Sequence, residues 1–319
     1  MKNTSKIGFR PQMEHLESRQ LMAGDVMVAL EGSLLTVNGD NLDNQIAITR
    51  NVAGDVVVSG QNGTLVNGLT SFRLVRPSIN AVEIRMEDGN DLVSIRNLQV
   101  ANDMFVDMGA GNDRFVAPAT TPNTIGANLA VYGSEGNDLI QLNRVTVRED
   151  LFVDGGIGTL QATLVDSVIS KAANIVADDL ADVVTVQRTR VGLDLNIETK
   201  GGSDRVTLTD LSAFNLAVNT DANGFTGLDR VTMNRVTTVE DLGVFTGAGA
   251  DTVQMTDVSS GKSITVSLDE GNDRLVMARV TAAADAVFEG GAGLDSVDFL
   301  AVMGGTKREF KEFETVIAR

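Results

Sequence analysis

The chain has 319 residues, with 43 acidic against 26 basic side chains and a net charge of −17, which disfavours nucleic acid and anionic membrane surfaces and attracts cations. It has no Cys and no Trp, and its one His is His15, so disulfides, thiolate metal sites and imidazole clusters are excluded and any metal must be hard and oxygen-bound. No apolar run approaches the roughly 18 residues of a membrane helix, so membrane insertion is not expected.

In chain order, residues 1–24, "MKNTSKIGFRPQMEHLESRQLMAG", are basic and polar and lack the continuous apolar core of an ordinary signal peptide. The stretch "LESRQLMAG" (Leu16 to Gly24) resembles a short leader found on large secreted or surface proteins of planctomycete bacteria. That resemblance implies export and an extracellular or cell-surface location; the alternative for residues 1–24 is a disordered tail that carries no address. Residues 25–85 carry strand-like runs, "DVMVAL", "LLTVNG", "NQIAITR" and "DVVVSG", without a clean period, and are expected to form an N-terminal β cap of hairpins and degenerate coils.

From residue 86 the chain repeats itself. With each Gly-rich turn's last acidic residue at position zero, the column reads Asp91, Asp113, Asp138, Leu160, Asp182, Asp204, Asp229, Asp251, Asp273 and Asp295; seven intervals are 22 residues and two are 25. Two residues earlier stands Gly, except at Leu180, and the expected reason is a left-handed backbone angle. Residues two and four places after zero are apolar in every repeat, with mostly polar residues between them, as in Val253, Gln254 and Met255; this is a strand with one buried face. Another apolar point falls at plus seven, and a further strand ("NLAVYG", "DLFVDG", "SITVSL") precedes the next turn.

A unit of 22 residues cannot bury enough apolar surface to offset its own ordering entropy, so units must stack. The expected fold is all-β, a parallel β-helix of about ten coils and about 45 to 50 Å, over residues 86–303. A β-propeller is the rival, but its blades need about 40 residues. Residues 304–319, with Phe310 and Phe313 among charges, leave the register and are expected to cap the C-terminal end.

The turn "GGAGLD" (Gly290 to Asp295) resembles the Gly-Gly-x-Gly-x-Asp half of the repeat-in-toxin nonapeptide, and the other turns resemble it in part. That resemblance implies calcium held by Asp carboxylates and backbone carbonyls of stacked turns, here along one edge only, because this chain has one such turn per 22 residues rather than one per nine. The candidate ligands are Asp91, Asp113, Asp138, Asp204, Asp229, Asp251, Asp273 and Asp295. Electrostatics adds an argument of its own: carboxylates stacked about 5 Å apart repel by roughly 3 kcal/mol at an effective dielectric of 20, and Ca²⁺ reverses the sign. Glu87, Asp88, Glu135, Asp269, Glu270 and Glu289 enrich the turns further. Asn and Asp beside Gly are also ordinary turn formers. Because "GGIGTL" has Leu160 in place of the acid and "ADDLAD" loses the Gly, the ladder is expected to break near residues 158–182, leaving two ion clusters.

At plus six the chain reads Arg144, Asp166, Arg188, Asp210, Arg235, Asp257 and Arg279. Alternating signs in neighbouring coils favour one register, with a modest structural role. Parallel β-helices also include polysaccharide lyases and hydrolases, and Arg114, Arg205, Arg230 and Arg274 offer basic residues at plus one. With only two three-residue insertions to build loops, and one Tyr and no Trp to stack on sugars, a catalytic groove is not expected. The expectation is a non-enzymatic structural or adhesive repeat protein stabilised by calcium, with glycans or cell-surface components as further partners. The alternative is a polysaccharide-acting enzyme.

Overall fold

The computed structural model describes residues 24–221 and 226–319; apart from Gly24, the leader-like segment lies outside these. The described chain is a parallel β-solenoid without an α-helix. One coil shows the plan: a long strand Thr252–Ser260, a corner, a short strand Ile264–Ser267, and a turn holding the two-residue strand Glu270–Gly271. The next coil lies directly over it, Val253 on Leu275, Met255 on Met277, Ile264 on Ala286 and Gly249 on Gly271. The step becomes 25 residues at both expected places, with Phe115 on Ile140 and Val206 on Val231. The first insertion occupies the corner between Arg114–Ala117 and Asn123–Ile125, and the second lies in sequence between the strands Asn215–Asn219 and Thr226–Gly227.

The apolar residue at plus seven has a structural cause that strict alternation does not supply. Two places after Met255 the next inward position would be Asp257. Instead Asp257 adopts a left-handed φ of 54°, and so do Arg144, Asp166, Arg188, Asp210, Arg235 and Arg279, at 46–55°. One such residue shifts the phase of the strand, as a bulge does, and turns Val258 and Ser260 inward instead. The long strand thereby contributes two faces to the core. Inward pairs of the short strand, such as Leu242 with Val244 and Ile264 with Val266, close it.

The glycines before the turns answer to both backbone angle and close approach. Gly89, Gly111, Gly136, Gly158, Gly202 and Gly271 have the expected positive φ, whereas Gly227, Gly249 and Gly293 do not. Wherever the coil before also carries Gly at this place, a Cβ would fall 1.4–1.9 Å from that glycine's carbonyl oxygen. Stacked turns leave room for hydrogen only.

Both ends differ from the repeats. Leu34–Asn38 and Gln45–Arg50 already pair in parallel with Ala81–Arg85 and Leu92–Arg96, so the first coil starts well before residue 86. Over it fold antiparallel hairpins, Asp25–Glu31 with Leu34–Asn38, and Gln45–Arg50 with Val56–Gly60 and then Ser71–Leu74. The last segment stays on the stack but leaves the 22-residue register in its final strand, where Ser296 pairs with Thr315 while Asp285 still pairs with Lys307. Lys307–Lys311 pairs with Asp285–Glu289, and Thr315–Ala318 with Ser296–Gly304. Phe310 stacks on Phe288 and Phe299, with centroids 5.2 and 4.6 Å away, so the cap is one more coil filled with aromatic rings.

Candidate functional site: the aspartate column and the turn edge

The position-zero aspartates do stack, but they face the interior. Asp91, Asp113, Asp138, Asp182, Asp204, Asp229, Asp251, Asp273 and Asp295 are only 1–3 % exposed, so they are not the solvent-facing carboxylate edge the sequence suggests. Each Oδ1 accepts the backbone N–H of the position-zero residue one coil before. Asp251 N–H donates to Asp273 at 2.7 Å, Asp229 N–H to Asp251 at 2.8 Å, and Asp113 N–H to Asp138 at 2.9 Å. The ladder starts from Asn44 N–H on Asp91 and ends with Asp295 N–H on Glu314. It breaks where Leu160 stands: Asp138 N–H donates to the Thr159 carbonyl instead, while Leu160 N–H reaches Asp182. Position zero therefore needs an acceptor for a buried main-chain donor, and Asp supplies it.

The second oxygen is the anomaly. Oδ2 of all nine aspartates is buried without a partner in hydrogen-bond geometry. Burial, aided at several coils by the neighbouring carboxylates, raises the pKa of Asp91 and Asp204 to about 8, of Asp113, Asp182 and Asp251 to about 7, and of Asp138 and Asp273 to about 6. The buried hydroxyls of Thr199, Thr220 and Thr246 stand beside Asp204, Asp229 and Asp251 and restrain the rise. Among the described residues, no three acidic or imidazole side chains converge as a ready-made metal centre.

Outside this column runs the turn edge, where Glu87, Asp88, Glu135, Asp269 and Glu270 are exposed and Glu289 pairs with Lys311. Next to position zero an amide ladder runs along the surface. Asn90 donates to Asp43, Asn112 to Asn90, Asn137 to Asn112, and Thr159 to Asn137. Its signal in the sequence is the Asn preceding Asp in three successive turns. Farther along, a cleft of about 570 Å³ is lined by Asp221, Gly247, Asp269, Glu270 and Gly291.

The plus-six column pairs off instead of forming a continuous file. Arg188 grips Asp166, Arg235 grips Asp210 and Arg279 grips Asp257, each through Nε at 2.5 Å and a second nitrogen. Arg144 donates to the Ala119 carbonyl.

A feature that the scarcity of aromatic residues argued against lies on the outer face of the short-strand sheet. Phe105 and Phe152 share one row with Ala130 between them, and the small Ala130 leaves space into which Tyr132 leans from the adjacent row. Its ring is 5.4 Å from Phe105 and 5.5 Å from Phe152, and the Arg85 guanidinium lies over Phe105 at 5.1 Å. Asn196 donates to Asn174 farther along the row of Phe152. The chain has few aromatics, but stacking gathers three of them into one half-exposed platform.

Fold and columns together define a parallel β-solenoid whose repeat places one buried aspartate and one tight turn in nearly every coil. No protein-family model, curated protein or solved structure matches the chain.

Proposed function

We propose that this protein is a structural and adhesive module of the cell exterior: a stiff acidic rod, calcium-stabilised along its turn edge, that presents the Phe105–Tyr132–Phe152 platform to a glycan. The observation that carries this reading is the stack of coils in parallel register, whose corners are short connections rather than the long loops that wall a catalytic groove. Aromatic faces flanked by an Arg and by amide side chains suit sugar rings, which offer C–H faces and hydroxyls. The calcium reading draws on the exposed acids of the turns and on the partnerless Oδ2 atoms behind them. Export rests on the leader-like Leu16–Gly24 segment, and fusing residues 1–24 to a reporter tests it.

Thermal unfolding with millimolar CaCl₂ and with chelator is the central experiment: a ligand of the folded state alone raises the midpoint, and an unchanged midpoint removes calcium from the reading. Co-sedimentation with insoluble polysaccharides tests adhesion. Tyr132→Ala with Phe105→Ala is expected to abolish retention without moving the unfolding midpoint by more than a few degrees.

A further inference from the structure

Asp221 does not belong to the position-zero column, yet it is just 6 % exposed and both its carboxylate oxygens are buried without a partner in hydrogen-bond geometry. The Gly227 N–H is close enough to oppose slightly the rise in its pKa but does not reach hydrogen-bond geometry. The carboxylates of Asp229 and Asp251 act on it repulsively, and no cationic group is among the influences on it. Each of these two neighbours presents its own buried, unpaired Oδ2. A buried carboxylate held against two others, with no cation to compensate, is costly in a folded interior, and burial pushes its pKa up to about 7; above that pH it calls for either a retained proton or a bound cation.

The surroundings keep a way in. Asp221 lines the 570 Å³ cleft whose outer lip carries the exposed Asp269 and Glu270. The floor is kept open by Gly247 with φ of +75°, where a Cβ would lie 2.3 Å from that of Asp221. A side chain at 247 would crowd the carboxylate, so the glycine preserves room above it.

We propose that Asp221 is the anchoring ligand of a single divalent-cation site, reached past Asp269 and Glu270 and completed by water and main-chain oxygens of the turns at Gly247 and Gly291 that line the same cleft. The inference rests on the calcium part of the proposed function and assigns it one location outside the repeated turn motif. Calcium fits best, since all available ligands are oxygens and Ca²⁺ accepts irregular shells of 6–8 of them, whereas Mg²⁺ demands a near-ideal octahedron.

Calorimetric titration of the full chain with CaCl₂, alongside unfolding in chelator, provides the test. Asp221→Asn is expected to remove one site from the stoichiometry and most of the calcium-induced rise in midpoint, while unfolding in chelator at a midpoint no lower than that of the unaltered protein. Asp269→Asn with Glu270→Gln, both exposed and harmless to folding, is expected to weaken the same site about 3- to 10-fold, whereas Asp88→Asn at a distant turn leaves it unchanged. If the unaltered protein binds no calcium, the calcium reading falls and this site falls with it. If it binds calcium and Asp221→Asn retains full affinity and stoichiometry, only this site is overturned. An unchanged Asp269→Asn/Glu270→Gln variant likewise overturns it.

Discussion

Two charged columns run along this solenoid, both repeating every 22 residues apart from the insertions, and they are governed by opposite physics. The inner column carries one sign only, and like charges a strand spacing apart ought to open the stack. It persists because each carboxylate accepts a main-chain N–H that would otherwise be buried without a partner, as Asp251 does for Asp229. In the outer column, Arg235 and Asp210 alternate in sign and lie in water, where each pair counts for little. The lesson is that conspicuous charge complementarity is the weaker organiser here, and a column that looks electrostatically wrong is the stronger.

Breaking the inner column is therefore expected to have the largest effect. Asp251→Ala strips Asp229 N–H of its acceptor and is expected to cost about 1–3 kcal/mol in equilibrium denaturation. Asp251→Asn keeps an Oδ1 acceptor and removes the charge, so it is expected to match or exceed the parent above neutral pH. A result in which Asn is as damaging as Ala would show that the charge, not the acceptor, is what the column needs.

Acidity sharpens the same contrast. The folded carboxyls hold protons up to about pH 6–8, against 3.8 for an unperturbed Asp, so the folded chain binds more protons than the unfolded one across that interval. Their contribution to stability is complete below about pH 4 and is lost as pH rises through about 4 to 8. In chelator, the urea midpoint is expected to be lower at about pH 8.5 than at about pH 5, and Asp251→Asn is expected to flatten the difference. The exposed Asp166, Asp210 and Asp257 run the other way: hydrogen bonds from their arginines hold them below the usual carboxylate range, so their small contribution is present above about pH 4 and is lost as the pH falls toward acid. The smallest effect belongs to this outer column: Arg235→Ala is expected to fall within the error of a denaturation curve and to vanish in high salt.

Much of this was legible because stacking converts a sequence period directly into a spatial column. Asp229 and Asp251 are neighbours in space for the same reason that they are 22 apart in the chain. Even the break at Leu160 was visible, though what breaks there is a hydrogen-bonded ladder. Less was legible wherever direction mattered. A period says which residues are superposed but not which way they point, so the aspartates read as an outer edge when they face the core. The phase flip at Asp257 was hidden as well, because its left-handed angle leaves no trace in residue type when Arg occupies the same place in alternate coils.

The sequence alone determined the class of fold, the coil length and the positions of the turns, because alternating apolar residues and glycines at a fixed period leave a short chain unit no way to bury itself except against its own copies. Only the tertiary structure decided which oxygen atoms are satisfied, that Tyr132 fills the gap between two phenylalanines, and that Asp221 is enclosed with none. Those outcomes depend on side-chain direction and on insertions of three residues, and they exist only once neighbouring coils are in contact.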